Sequence, residues 1–183
     1  VKIVTTHGGL TVGEDGASHQ AIEDLSLVTS MPGMTVIVPA DAIETAQVIR
    51  TAAATKGPFY IRLSRMEWPL VHDESYQFNL GKAAQLRQGT QATIIAMGLM
   101  VAPAVEAADK LKQEGIDCRV LNMATLKPID ESAIVQASKD TGAIDSKVNA
   151  ELMMERSVEQ LAAMSELLFA QKQWAVLVIL QAL

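Results

Sequence analysis

The chain has 183 residues, 49% of them apolar, with a formal net charge of −6. That length fits one domain or two small ones, and the apolar share is enough for a core, which excludes disorder as a description of the whole. Lys and Arg are scattered rather than clustered on this acidic background, so nucleic acid and an anionic membrane are excluded as principal partners.

Val1–Thr5 reads as a strand that starts mid-pattern and without Met, the expectation being a piece of a longer polypeptide. Thr6 to Leu25, "THGGLTVGEDGASHQAIEDL", is a polar, glycine-bearing loop between a strand and a helix, where α/β proteins keep their chemistry. A helix is predicted from about His19 to Thr29, then the strand "TVIVPA". Asp41 with Glu44 three residues on predicts a capping box opening the next helix, and "FYIRLSR" completes a βαβαβ unit, hence a parallel sheet. Met66 to Gln77 loses periodicity and carries Pro69, which predicts a linker with a solvated His72 and a packing role for Trp68.

A second α/β unit is predicted from Phe78. "AAQLRQGTQATIIAMG" gives two strands about a Gln88-Gly89 turn, followed by a helix near Val101 with Pro103 in its first turn and Gly115 at its end. The strand "CRVLNM" holds the lone Cys118, read as a buried thiol, and a helix capped by Asp130 follows. After Ile144, Met154, Val158, Leu161, Ala162, Leu168 and Phe169 fall at helical spacing and predict a long amphipathic helix. The closing "WAVLVILQAL" leans to strand on its Val and Ile content, with Trp174 as packing, and is shorter than the ~20 residues a membrane span needs. No leader pattern opens the chain, and the expectation is a soluble, cytoplasmic protein.

Within the first loop, His7 can bind a hydroxyl or phosphate oxygen, or merely satisfy backbone at a strand end. Asp15, between Gly13-Glu14 and Gly16, can offer its carboxylate inward or form an Asx-turn, and Glu14 reads as a solvated acid. His19 is placed at the first turn of a helix, whose N-terminus favours a neutral imidazole over a cation, with capping beside Ser18 as the bland alternative. Arg65 is placed at the C-terminal end of a parallel strand, where a planar fork suits a phosphate, with Arg62 as the competing candidate.

"THGGLTVGEDGASHQAIEDLSL", "MPGMTVIVPAD", "GPFYIRLSR" and "VLNMATLKPID", in that order, resemble the second half of transketolase, and the separately encoded C-terminal subunit of split transketolases most of all. The similarity runs from Val1 to Ile144. It implies four regions: 1–65 as the later part of a pyrimidine-binding domain, 66–77 as linker, 78–144 as a C-terminal-like α/β domain, and 145–183 as a divergent helical tail with an apolar end. It also implies transfer of a two-carbon ketol unit between sugar phosphates. On it His7, Asp15 and Arg65 contact substrate, and His19 lies beside cofactor and reacting carbons.

Thiamine diphosphate and Mg²⁺ would be held mostly by a partner chain or a missing segment, since neither a GDG…N element nor the activating glutamate upstream of the opening strand is present. The implied partner is an N-terminal transketolase subunit or section, in a homo- or hetero-oligomer, and none of these residues is assigned as a metal ligand. Two relatives share parts of the pattern: 1-deoxyxylulose-5-phosphate synthase and the β subunit of 2-oxoacid dehydrogenases. A non-catalytic assembly piece is the rival from another class.

Overall fold

A computed structural model of the chain describes residues 1–140. The amphipathic helix, the apolar closing run and Trp174 lie outside the described residues. Strand β1 (Lys2–Thr5), helix α1 (Asp24–Ser30), β2 (Thr35–Ile37), α2 (Ala42–Ala54) and β3 (Phe59–Arg62) form the expected βαβαβ unit. Its three strands are parallel, in the order β1-β3-β2. β3 is central and covered on both faces, Phe59 and Ile61 clustering with Val48 and Ala52 of α2 and Tyr60 with Val28 of α1: Phe59 is 1%, Tyr60 7% and Ile61 0% exposed. The edge strand β1 is the opposite case, with Ile3 and Val4 at 40% and 47%.

The second sheet takes β4 (Ala84–Arg87), β5 (Ala92–Ala96) and β6 (Cys118–Asn122) in the order β4-β6-β5. The two strands about Gln88-Gly89 exist, but they do not pair with each other, because β6 lies between them, antiparallel to β4 and parallel to β5. Gly89 permits this crossing, since a Cβ there would stand 2.2 Å from the carbonyl carbon of Cys118. Helix α3 (Val101–Gln113) covers the sheet through Ala104 and Ala108 against Cys118 and Val120. Pro103 sits in its first turn, where the missing N–H costs nothing, and Gly115 follows its end at φ +85°. Cys118 is a buried free thiol, as its apolar strand predicts.

After β6 the chain leaves this sheet, and β7 (Thr125–Lys127) pairs antiparallel with β2, Val36 opposite Lys127 and Ile37 opposite Thr125. Lys127 then donates from Nζ to the carbonyls of Thr29 and Met31, 2.7 Å each, satisfying acceptors at the end of α1. Helix α4 (Glu131–Asp140) begins after Asp130, whose carboxyl accepts from the Ala133 N–H at 3.2 Å and from the Ser132 hydroxyl. This is the cap expected at that position.

The segment between the two halves is stapled rather than loose. Asp41 caps α2 through the Glu44 N–H (2.9 Å), as expected, whereas the Glu44 side chain reaches one residue further back than in a capping box and accepts from the Ala40 N–H (2.7 Å). The other Asp41 oxygen takes the N–H groups of Val71 and His72 (2.9 Å each) and His72 Nδ1 (3.0 Å). Glu44, fully buried, also accepts from the Tyr76 hydroxyl and from Asn122 Nδ2, 3.0 Å to each oxygen. His72 stacks on Tyr76 with ring centroids 3.8 Å apart. The expectation of a solvated His72 is therefore wrong: its side chain is 2% exposed. A polar, aperiodic neighbourhood suggests solvent, but the acceptor that buries this imidazole is the α2 cap, far away in sequence.

Burial pushes the Tyr76 hydroxyl far up, reinforced by the adjacent Glu44. Burial also pushes Asp41 up, yet the three N–H donors outweigh it and hold the carboxyl below its ordinary range.

Asn122→Ala strips a donor from the buried Glu44 carboxyl and is expected to destabilise the chain by about 3 kcal/mol. Urea unfolding checks this, and a loss under about 1 kcal/mol would show that the contact contributes little. Asp130 is held at about 2, first by the Ser132 hydroxyl, then, against burial, by the N–H groups of Ala83 and Ala133. A depressed folded value means stability that is present above the unfolded value of about 3.9 and lost as pH falls. Stability should therefore decline between about pH 4 and the folded value of about 2. Asp130→Asn should flatten that decline, and parallel pH profiles for the two proteins would contradict it.

Candidate functional site

The site is built where β1 and β3 end. Leu63 N–H donates to Thr5 O at 2.7 Å and Gly8 N–H donates to Leu63 O at 3.1 Å, so the pairing of the two strands continues past their regular portions. Between them His7 is turned to φ +64°, a left-handed conformation uncommon for a residue with a side chain. Its Nδ1 lies 2.8 Å from Thr6 Oγ1, and the ring is exposed.

The chain then makes short 3-10 turns over Leu10–Asp15 and Ala17–His19. Gly13 and Gly16 stand at φ +71° and +79°, where a Cβ would meet nothing within 4 Å, so backbone conformation rather than space calls for glycine. Beyond them Gly9 N–H donates to Ala21 O at 2.9 Å, and Gly8 and Ala21 form a parallel bridge.

That bridge corrects the predicted helix from His19. With Ala21 held beside the glycine loop and Gln20 extended, α1 starts only at Asp24. His19 closes a three-residue 3-10 turn, exposed, with Nδ1 3.2 Å from Ser18 Oγ. The bridge nevertheless joins the strand-end loop carrying His7 to the segment that follows His19.

Arg65 is also displaced from its predicted place. β3 ends at Arg62, and Arg65 lies three residues on, in a loop. There its Nη1 donates to Asp15 Oδ2 at 2.7 Å and to Val12 O at 3.0 Å. The structure thus brings two expected site residues into direct contact, with side chains 40% and 41% exposed. An open ion pair of this kind contributes at most about 1 kcal/mol and exchanges readily for other partners. Glu14 is exposed, as read.

The strand-end arginine is Arg62, and its surroundings differ. Its Nε donates to Asp24 Oδ2 at 2.9 Å and its Nη2 to Ala21 O at 3.0 Å, with the side chain 18% exposed. Tyr60 donates its hydroxyl to the same Asp24 oxygen at 2.8 Å and accepts from Thr5 Oγ1 at 3.1 Å. Burial pushes the Tyr60 hydroxyl up. The side chain of Arg62 lies against the glycine loop: a Cβ on Gly8 would fall 2.4 Å from its Nε. Sequence reading missed Asp24 and Tyr60; the available signals were the Gly8-Gly9 pair and two arginines three residues apart, the first of them closing a strand.

Among the described residues no group of three His, Cys, Asp or Glu side chains could hold a metal ion. No helix among them is long and apolar enough to cross a membrane. A groove of about 700 Å³ lies elsewhere, between Trp68, Pro69 and Val71 of the connecting segment and Pro103 and Val105 of α3. Glu106, Asp109 and Lys110 of α3 also line it.

Residues 1–70 match the family described as "Transketolase, pyrimidine binding domain", and residues 81–164 match "Transketolase, C-terminal domain", a match that continues beyond Ile144. A solved structure described as "Split gene transketolase, inactive beta4 tetramer" is 47% identical, with a TM-score of 0.71 over 78% of this chain and 45% of its own. "6-deoxy-6-sulfo-D-fructose transketolase subunit SqwH" of Clostridium is 40% identical over 84% of this chain and 48% of its own length. An apulose-4-phosphate transketolase subunit of Phocaeicola vulgatus is 38% identical over 79% and 46% respectively. The chain therefore spans about half the length of these relatives. Two matches in the order of the family's own domains, together with subunits of the same kind, show that the chain belongs to the transketolase family, whose members are transferase-type enzymes built on domains that normally use thiamine diphosphate.

Proposed function

We propose that this chain works as the C-terminal subunit or section of a transketolase, moving a two-carbon ketol unit between sugar phosphates together with an N-terminal subunit or section. The observation that carries this reading is the pairing of Arg65, from the loop after β3, with Asp15 on the glycine loop that also bears His7 and His19. A ketose phosphate presents hydroxyls, a carbonyl and a dianion. The loop offers a carboxylate and two exposed imidazoles, and Arg65 adds a guanidinium fork from the loop after β3.

In this reading Arg65 exchanges Asp15 for the substrate phosphate, and the freed Asp15 accepts from a sugar hydroxyl. His7 hydrogen-bonds the sugar near the strand end. His19 holds or moves a proton at the reacting carbons. Thiamine diphosphate supplies the carbon nucleophile when bound. This donor set suits a contact from His19 to an organic cofactor rather than a metal shell, which supports diphosphate and Mg²⁺ being held mainly by the other polypeptide. The exposed Ile3 and Val4 on the edge strand β1 support an apolar partner surface there.

The 47%-identical structure is described as an inactive β4 tetramer, which favours self-association without activity as the behaviour of the chain alone. The 183-residue chain with thiamine diphosphate and Mg²⁺ is expected to show no turnover of a ketose phosphate, and to gain it on addition of the complementary subunit. Activity of the pure chain would overturn this, and a requirement for pyruvate in the assembled enzyme would move the assignment to the synthase or dehydrogenase relatives. In the assembly, Asp15→Ala and Arg65→Ala should raise KM for the sugar phosphate about tenfold or more with cofactor affinity unchanged, whereas His19→Ala should lower kcat more than it raises KM. If all three shift cofactor affinity alone, the roles are misassigned.

A further inference from the structure

Three segments converge on Arg62, each a few residues from a proposed working group. Gly8 follows His7, Ala21 lies two residues after His19, and Leu63 leads to Arg65. Arg62 touches or borders all three. Its side chain packs against Gly8 and Gly9, so closely that a Cβ at either position would stand 2.4 Å or 3.1 Å from a guanidinium nitrogen. Its Nη2 donates to Ala21 O, the same carbonyl that accepts from Gly9 N–H. Its Nε is tied to Asp24, which is itself held by the Tyr60 hydroxyl.

We infer that Arg62 is a positioning residue: its fork, braced by Asp24, sets the distance between the strand-end loop that carries His7 and the segment that carries His19. The inference rests on the reading of those histidines as working groups. The competing role, phosphate recognition, needs donors directed to solvent. Here two of the donor atoms are already engaged by Asp24 and Ala21, and the side chain is 18% exposed. Arg65, 40% exposed and tied to an open carboxylate, is free to make that exchange. Lysine is not an equivalent replacement for Arg62, because a compact ammonium on a flexible stem lacks the rigid planar fork that packs against the glycines while holding both acceptors.

The chain has three histidines, which makes the test direct. In the full chain labelled with ¹³C,¹⁵N-histidine, Arg62→Lys should displace the ring resonances of His7 and His19 while leaving that of His72, buried beside Asp41, in place. Asp24→Asn, which loosens the brace but keeps the arginine, should do the same to a smaller degree and serves if Arg62→Lys fails to fold. In the enzyme assembled with its complementary subunit, Arg62→Lys should lower kcat about tenfold or more with KM for the sugar phosphate changed less than about twofold, the reverse of Arg65→Ala. Unmoved His7 and His19 resonances in a variant with a native His72 signal would overturn the inference, as would a KM effect like that of Arg65→Ala. Displaced resonances with unchanged turnover would uphold the positioning and reject the working roles of the histidines instead.

Discussion

The end of β3 is where this unit converts a stable sheet into a shaped loop. Phe59 and Ile61 are almost wholly buried against Val48 and Ala52 of α2, so the strand is anchored by its apolar residues and delivers Arg62 to a defined place. From there a planar guanidinium reaches two acceptors remote from it in the sequence, the Asp24 carboxyl and the Ala21 carbonyl. A glycine pair is the complementary requirement, because the arginine occupies the space that a side chain on Gly8 would need. Loop, bridge and delayed helix start follow from that one packing arrangement.

Two kinds of polar contact coexist here, and their burial separates their purposes. Asp41, Glu44, His72 and Asn122 are all buried and bind one another, a setting in which losing any one partner strands another away from water. Such a cluster suits anchorage: it joins the start of α2, the connecting segment and the end of β6. The Asp15–Arg65 pair is open to solvent, where water competes for both charges and an incoming phosphate or hydroxyl can replace either partner at small cost. Stability and recognition are thus assigned to different networks.

The connection between the two halves follows the same logic of shared elements. β7 belongs by sequence to the second half yet completes the first sheet beside β2, and its Lys127 satisfies the carbonyls that end α1. The connecting segment is held to the α2 cap on one side and faces α3 on the other. A residue far from the glycine loop can therefore affect the sheet that supports it.

The sequence by itself determined what depends on near neighbours. Alternating apolar runs specified the parallel unit, Asp41 with Glu44 and Asp130 specified helix starts, Pro103 and Gly115 bounded α3, and an apolar strand buried Cys118. The order of the loop motifs was enough to indicate the family. Only the tertiary structure decided which arginine faces solvent, why His19 stands outside a helix, that His72 is buried, and that β6 separates two strands read as neighbours. In each case the deciding partner is remote in the chain: Ala21 and Asp24 for Arg62, Gly8 and Gly9 for the backbone after His19, Asp41 for His72, β6 for the strands flanking Gly89. Local patterns record the conformations a segment prefers, whereas a hydrogen bond between distant segments exists only once packing has placed its donor and acceptor together.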